Sequence, residues 1–159
     1  MGRFLRAADA WMLRFVALLT AIFLGCVLLQ VFFRYVLEES LVWSDELARY
    51  CFVWSSFLAA AVIVGRNDHF TIPILVDLLP LRARLMLEVA SIALCMVFAA
   101  IVLKVGADWS MRMVDARSPV LQLPQGLVYA VVPVSALYMI AHLVVRAVRL
   151  VRSPPPPGV

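Results

Sequence analysis

The stretch VFFRYVLEESLVWSDELARYCFVW, Val31–Trp54, places Arg34, Glu38, Glu39, Asp45, Glu46 and Arg49 between two apolar runs. Those runs, Phe15–Tyr35 and Leu47–Val64, are close to the roughly 20 residues needed to cross a hydrocarbon core. Lipid offers the backbone no hydrogen-bond partner, so each run must be helical. The charged stretch is then the turn of a membrane hairpin, and its unusual acidity asks for a reason.

The rest of the chain has the same character. It is 159 residues long, 65% apolar and 15% charged, with mean hydropathy +0.99. Soluble domains are nearer one half apolar and about one quarter charged. Two further spans follow at Val89–Val105 and Gly126–Val145. The expectation is an all-α integral membrane protein of four transmembrane helices, a single domain over 1–152 with spans at 15–35, 47–64, 89–105 and 126–145. The tail 153–159, SPPPPGV, cannot be helical and is read as a disordered polyproline end. Pro133 should kink the fourth span. The net charge of +4 is scattered among hydrophobic segments and does not point to nucleic acid. Cys26, Cys51 and Cys95 lie inside apolar runs, without metal-type spacing, and read as small buried hydrophobes.

Arg3, Arg6 and Arg14 precede the first run as in a signal peptide, but the run continues to Phe33, too long for one. It is read as an uncleaved anchor. Basic residues cluster before the first span, in the second connection (Arg66, Arg82, Arg84) and after the fourth (Arg146, Arg149, Arg152). By the positive-inside rule both termini face the cytoplasm, and the acidic hairpin turn faces outward. Two segments should lie in the interface as short amphipathic helices: residues 4–15, with Phe4, Ala8, Trp11, Met12 and Phe15 on one face, and Thr71–Leu85 between Pro73 and Pro80. DWSMRMVDAR, from Asp108, would be an outer-face counterpart.

The charged turn admits three readings. Asp45 and Glu46 in the first turn of a helix offset its dipole, and Arg49 stands at pair spacing from both. Arg34 and Glu38 are likewise i, i+4. A neutralised capping cluster is one reading and paired catalytic carboxylates another, though no nucleophile or metal set accompanies them. A partner contact is the third, with Trp43, Leu47 and Trp54 sharing a face. Within the spans the polar inventory is Thr20, Gln30, Ser55, Ser56 and Ser135, with Arg49, Lys104 and His142 near helix ends. No carboxylate falls in the membrane interior, where ion-moving proteins need one. His69 and His142 should both lie near the cytoplasmic side, so a bis-histidine haem is conceivable.

Residues 34–75, RYVLEESLVWSDELARYCFVWSSFLAAAVIVGRNDHFTIPIL, resemble the small, DctQ-like membrane subunit of tripartite ATP-independent periplasmic (TRAP) transporters. The resemblance rests on Arg34 and Tyr35 ending the first helix. Trp43, Asp45, Glu46, Ala48 and Arg49 open the second, Phe52, Val53, Trp54, Phe57 and Leu58 follow, and Arg66 and His69 precede the third. Asp45 stands where Glu is more usual and Ala59 where Gly is common. The resemblance implies a multi-pass protein of the bacterial inner membrane that is not an enzyme and holds no cofactor. Its partners would be a large membrane subunit carrying the sodium and substrate sites, a periplasmic substrate-binding protein that delivers an organic anion such as a carboxylate, and membrane lipids. Its own role would be to bind and anchor the large subunit as a scaffold. Arg34, Tyr35, Trp43, Asp45, Glu46, Arg49, Trp54, Arg66 and His69 would then form structural or partner-interface positions. The rival reading is a four-helix haem or quinone anchor of a respiratory enzyme.

Overall fold

The structure is a computed structural model, which describes residues 2–66 and 81–152. Among the described residues five helices follow in order: α1 Gly2–Val36, α2 Val42–Arg66, α3 Leu81–Arg112, α4 Gln125–Tyr129 and α5 Val131–Arg152. Four stretches are long and apolar enough to span a membrane: Ala7–Val36, Val42–Val64, Leu85–Arg112 and Gln125–Val148. Each contains the span expected from sequence. The protein is all-α; the described residues contain one isolated β-bridge, Arg117 with Pro124.

The helices stand in the order α1, α2, α5, α3, each packed on its neighbours in that row. The inner and outer helices differ in what they bury. In α2 the buried positions Ser44, Ala48, Cys51, Ser55, Leu58 and Val62 recur at alternating steps of four and three. That is the period of a coiled-coil seam, and its small side chains let neighbouring backbones approach. In α3 the buried positions Ile92, Ala99 and Gly106 fall seven apart, a single stripe. Accordingly 33% of the apolar window is buried in both α2 and the fourth span, against 6% in α1 and 11% in α3. Glycine makes the α3 contact possible. A Cβ on Gly106 would come within 2.7 Å of Val132 Cγ1, and one on Gly126 within 2.7 Å of the Ser110 carbonyl oxygen.

Several local expectations are corrected. Residues 4–15 are not a separate interfacial helix, because they continue α1 without a break over its 35 residues, roughly 50 Å of helix. DWSMRMVDAR is not a separate element either; Asp108–Arg112 are the closing turns of α3. Residues 81–85 of the expected Thr71–Leu85 helix begin α3, and 67–80 lie outside the described residues, as does the tail 153–159. The fourth span is interrupted at Ala130, one turn before Pro133. Proline has no N–H to offer the carbonyl four residues back and is tolerated only in a first helical turn. The helix therefore ends at Tyr129 and restarts at Val131. Cys26 and Cys51 are buried as expected, and Cys95 is half-buried.

Candidate functional site

The hairpin turn that opened the sequence is ordered by its own backbone. α1 closes at Val36, and the N–H groups of Leu37 and Glu39 both donate to the Phe33 carbonyl, at 3.1 and 3.2 Å. Glu38 takes φ 56°, the left-handed conformation that lets a chain leave a helix sharply. This departure carries Glu38 off the helical surface, so the expected Arg34–Glu38 pair does not form among the described residues. Ser44 lies in the first turn of α2, with its hydroxyl donating to the Leu41 carbonyl at 2.8 Å.

Asp45 and Glu46 then face different surroundings. Arg49 donates to Asp45 Oδ2 at 2.8 Å, and both side chains are more than half exposed. Glu46 is buried and is not paired with Arg49 as the spacing suggested. It turns inward and accepts three hydrogen bonds: from the Tyr50 hydroxyl at 2.5 Å, and on Oε2 from the backbone N–H groups of Val120 and Leu121 at 3.0 Å each. An ionised carboxylate is acceptor-only and suits this role.

The donors come from the connection between α3 and α4, a tight turn built for the purpose. Ser118 N–H donates to the Leu123 carbonyl at 2.9 Å, and Leu123 N–H donates to Ser118 Oγ at 3.0 Å. Gln125 N–H donates to the Ala116 carbonyl at 2.8 Å. Gln122 adopts φ 53° at the tip, and Ser110 Oγ donates to the Gly126 carbonyl at 2.7 Å. Glu46 thus fastens the α3–α4 turn onto the first turns of α2. The prolines and Gly126 of SPVLQLPQG, residues 118–126, announce a turn. That its amides serve a carboxylate more than seventy residues away has no local signal.

Three of the remaining motif residues are exposed around the turn. Arg34, Tyr35 and Trp43 are exposed and Trp54 is half-buried. Asp45, Arg49 and Tyr50 share an open cleft with Val120 and Tyr129. Arg66 ends α2, and His69 lies outside the described residues.

At the amino-terminal end of α1 the structure shows a cluster that sequence reasoning missed. Asp9, which precedes the expected first span, is buried among the helices. The Tyr138 hydroxyl donates to Asp9 Oδ1 at 2.5 Å, and His142 Nε2 lies 3.0 Å from the same oxygen. His142 is buried, and its Nε2 faces a carboxylate where a haem iron would need it. Nearby, Arg146 donates to Glu88 Oε1 at 3.2 Å. Ser135, Tyr138, His142 and Arg146 fall at steps of three, four and four, a polar stripe along α5 that helical spacing could have revealed. Between the two ends, Ser55 and Ser135 donate to carbonyls of their own helices, Phe52 and Val132.

The family model for the DctQ component of tripartite ATP-independent periplasmic transporters matches residues 23–153. A Haemophilus influenzae protein named as a TRAP transporter small permease is 25% identical over 124 residues, covering 77% of this chain and 76% of the relative. The isethionate TRAP transporter permease protein DctMQ of Oleidesulfovibrio alaskensis is 33% identical over 122 residues, covering 72% of this chain and 19% of the relative. The C4-dicarboxylate TRAP transporter small permease protein DctQ of Rhodobacter capsulatus is 31% identical over 102 residues, covering 63% and 45%. The chain therefore matches less than half the length of the latter two.

Proposed function

Because this chain belongs to the DctQ family of TRAP transporters, a family of transport components and not of enzymes, we propose that it is the small scaffold subunit of a sodium-coupled importer. It sits in the bacterial inner membrane with both termini cytoplasmic and binds and anchors a large transporting subunit. That partner carries the sodium and substrate sites. A periplasmic binding protein delivers an organic anion, of the carboxylate class, to the pair. Relatives named for C4-dicarboxylates and isethionate support the anion class, and the name DctMQ supports a close bond between small and large components.

One observation carries the scaffold reading. The outer helices α1 and α3 leave almost all of their apolar windows uncovered by this chain. Among the described residues the buried carboxylates, Glu46 and Asp9, stand at the two ends of the bundle, and the buried serines between them, Ser55 and Ser135, donate to carbonyls of their own helices. Such a body offers surface for a large apolar neighbour and no stepping stones for an ion. The exposed Asp45–Arg49 pair with Tyr35 and Trp43 is the polar rim of the docking face.

Three measurements test this. Extraction from the native host in mild detergent is expected to bring down a large membrane protein in equal amount. Liposomes holding this chain alone are expected to accumulate no solute, and solute accumulation there overturns the reading. Replacing Asp45 and Arg49 with alanine is expected to lower recovery of the complex or uptake while the chain stays folded. Unchanged recovery and uptake remove the docking role of the rim.

A further inference from the structure

Asp9 and His142 meet where α1 and α5 have little else to join them. α1 packs along α2, while α5 packs along α2 and α3. Only 6% of the apolar window of α1 is buried, so broad apolar contact does not hold it to α5. Yet Asp9 is 4% and His142 7% exposed. Tyr138 and His142 are one turn apart on α5, with rings edge-to-face at 4.7 Å.

Counting protons identifies the contact. A carboxylate oxygen can only accept, and an imidazole nitrogen without its hydrogen can only accept. Two such atoms 3.0 Å apart in a buried site would set lone pair against lone pair, where little solvent screens the repulsion. A hydrogen on Nε2 removes that repulsion, and it is not aimed in line at Oδ1. Neutral imidazole has a single N–H, so the contact selects the tautomer with hydrogen on Nε2. The Tyr138 hydroxyl takes the aligned approach to Oδ1, and Nε2 reaches no acceptor in line.

We propose that Asp9, Tyr138 and His142 form a proton-dependent lock that fixes the amino-terminal turns of α1 to α5. The lock holds while Asp9 is a carboxylate, whether the imidazole is neutral or charged, because both forms present a hydrogen at Nε2. It is lost when the carboxylate takes up a proton. His142 and Tyr138 then donate to a neutral acceptor, and an imidazolium would be left buried without its counter-charge, a costly state.

Among the described residues, three charged side chains stand near the lock. On α5, Arg146 lies one turn beyond His142 and is paired with Glu88 of α3. On α1, Arg14 stacks on Trp11 with its guanidinium carbon 5.4 Å from the ring centroid. α2 ends in Arg66, which does not titrate in the accessible range, and its buried residues toward that end, Leu58, Ala61 and Val62, carry no ionisable group. Glu88 is thus the second acid-sensitive carboxylate at this end among the described residues, and it needs a control.

The test uses the full chain in lipid nanodiscs. In protein labelled with ¹⁵N-histidine, the His142 resonances at neutral pH are expected to show hydrogen on Nε2. A bare Nε2 with hydrogen on Nδ1 overturns the proposal, and this reading needs no variant. Spin labels at the exposed positions Ala7 and Val148, with the native cysteines replaced by alanine, report the docking of α1. One narrow distance is expected at neutral pH, with most of it lost on acidification. D9A is expected to be broad at both pH values, D9N to lose the acid response, and E88Q to keep it. A narrow distance that survives acid in the wild type, or survives in D9A, overturns the lock.

Discussion

The two ends of the bundle each hold a buried carboxylate, and they hold it differently. At the hairpin end Glu46 accepts from two backbone amides and a tyrosine hydroxyl. Backbone N–H groups cannot titrate or change rotamer, so this clamp is as fixed as the turn that carries it. At the other end Asp9 is held by two side chains, Tyr138 and His142. A carboxylate bound by backbone is held by groups that cannot swing away, whereas one bound by side chains is held by groups that can. The fold uses the first where the α3–α4 turn must sit on α2, and the second where α1 crosses to α5.

Four substitutions would break or sharpen this contrast, each read as thermal unfolding of the chain in detergent or nanodiscs. E46A is expected to destabilise most, because it strands the Val120 and Leu121 amides and removes the partner of Tyr50; wild-type stability would dissolve the clamp. Next comes G126A, whose new Cβ meets backbone, not a yielding side chain. A cost of about 1–3 kcal/mol is expected, from the usual penalty of overpacking. S118A should follow at about 1 kcal/mol, by losing the hydroxyl that accepts from Leu123 within the turn. D45N should be smallest, within about 0.5 kcal/mol, since its pair with Arg49 is exposed and local. If D45N rivals E46A, the division between an outward rim and an inward clamp is wrong.

Asp45 and Glu46 also mark the limit of what could be read in advance. Both carry the same charge in the same helical turn, and both stand at pairing distance in sequence from Arg49. Spacing correctly foretold the Asp45–Arg49 pair because both partners lie on one helix. It misjudged Glu46, whose donors arrive from residues 120 and 121. Asp9 was overlooked for a related reason. It precedes the most apolar part of α1 and looks like a surface residue of an amphipathic segment until α5 is placed beside it. Gly106 and Gly126 tell the same story, since a glycine in an apolar helix says nothing of the backbone or side chain that needs its missing Cβ.

Sequence by itself determined the class of molecule, the four spans, the hairpin turn and the family signature. Each follows from local quantities: the length of apolar runs against the thickness of a bilayer, the backbone's need to bond within its own helix in lipid, and the spacing of charges along one turn. Tertiary structure alone decided the row order of the helices, which of two neighbouring carboxylates turns inward, and that Asp9 is buried against Tyr138 and His142. Those outcomes depend on partners 74 to 129 positions away along the chain, and no local pattern encodes which distant donor a buried charge will find.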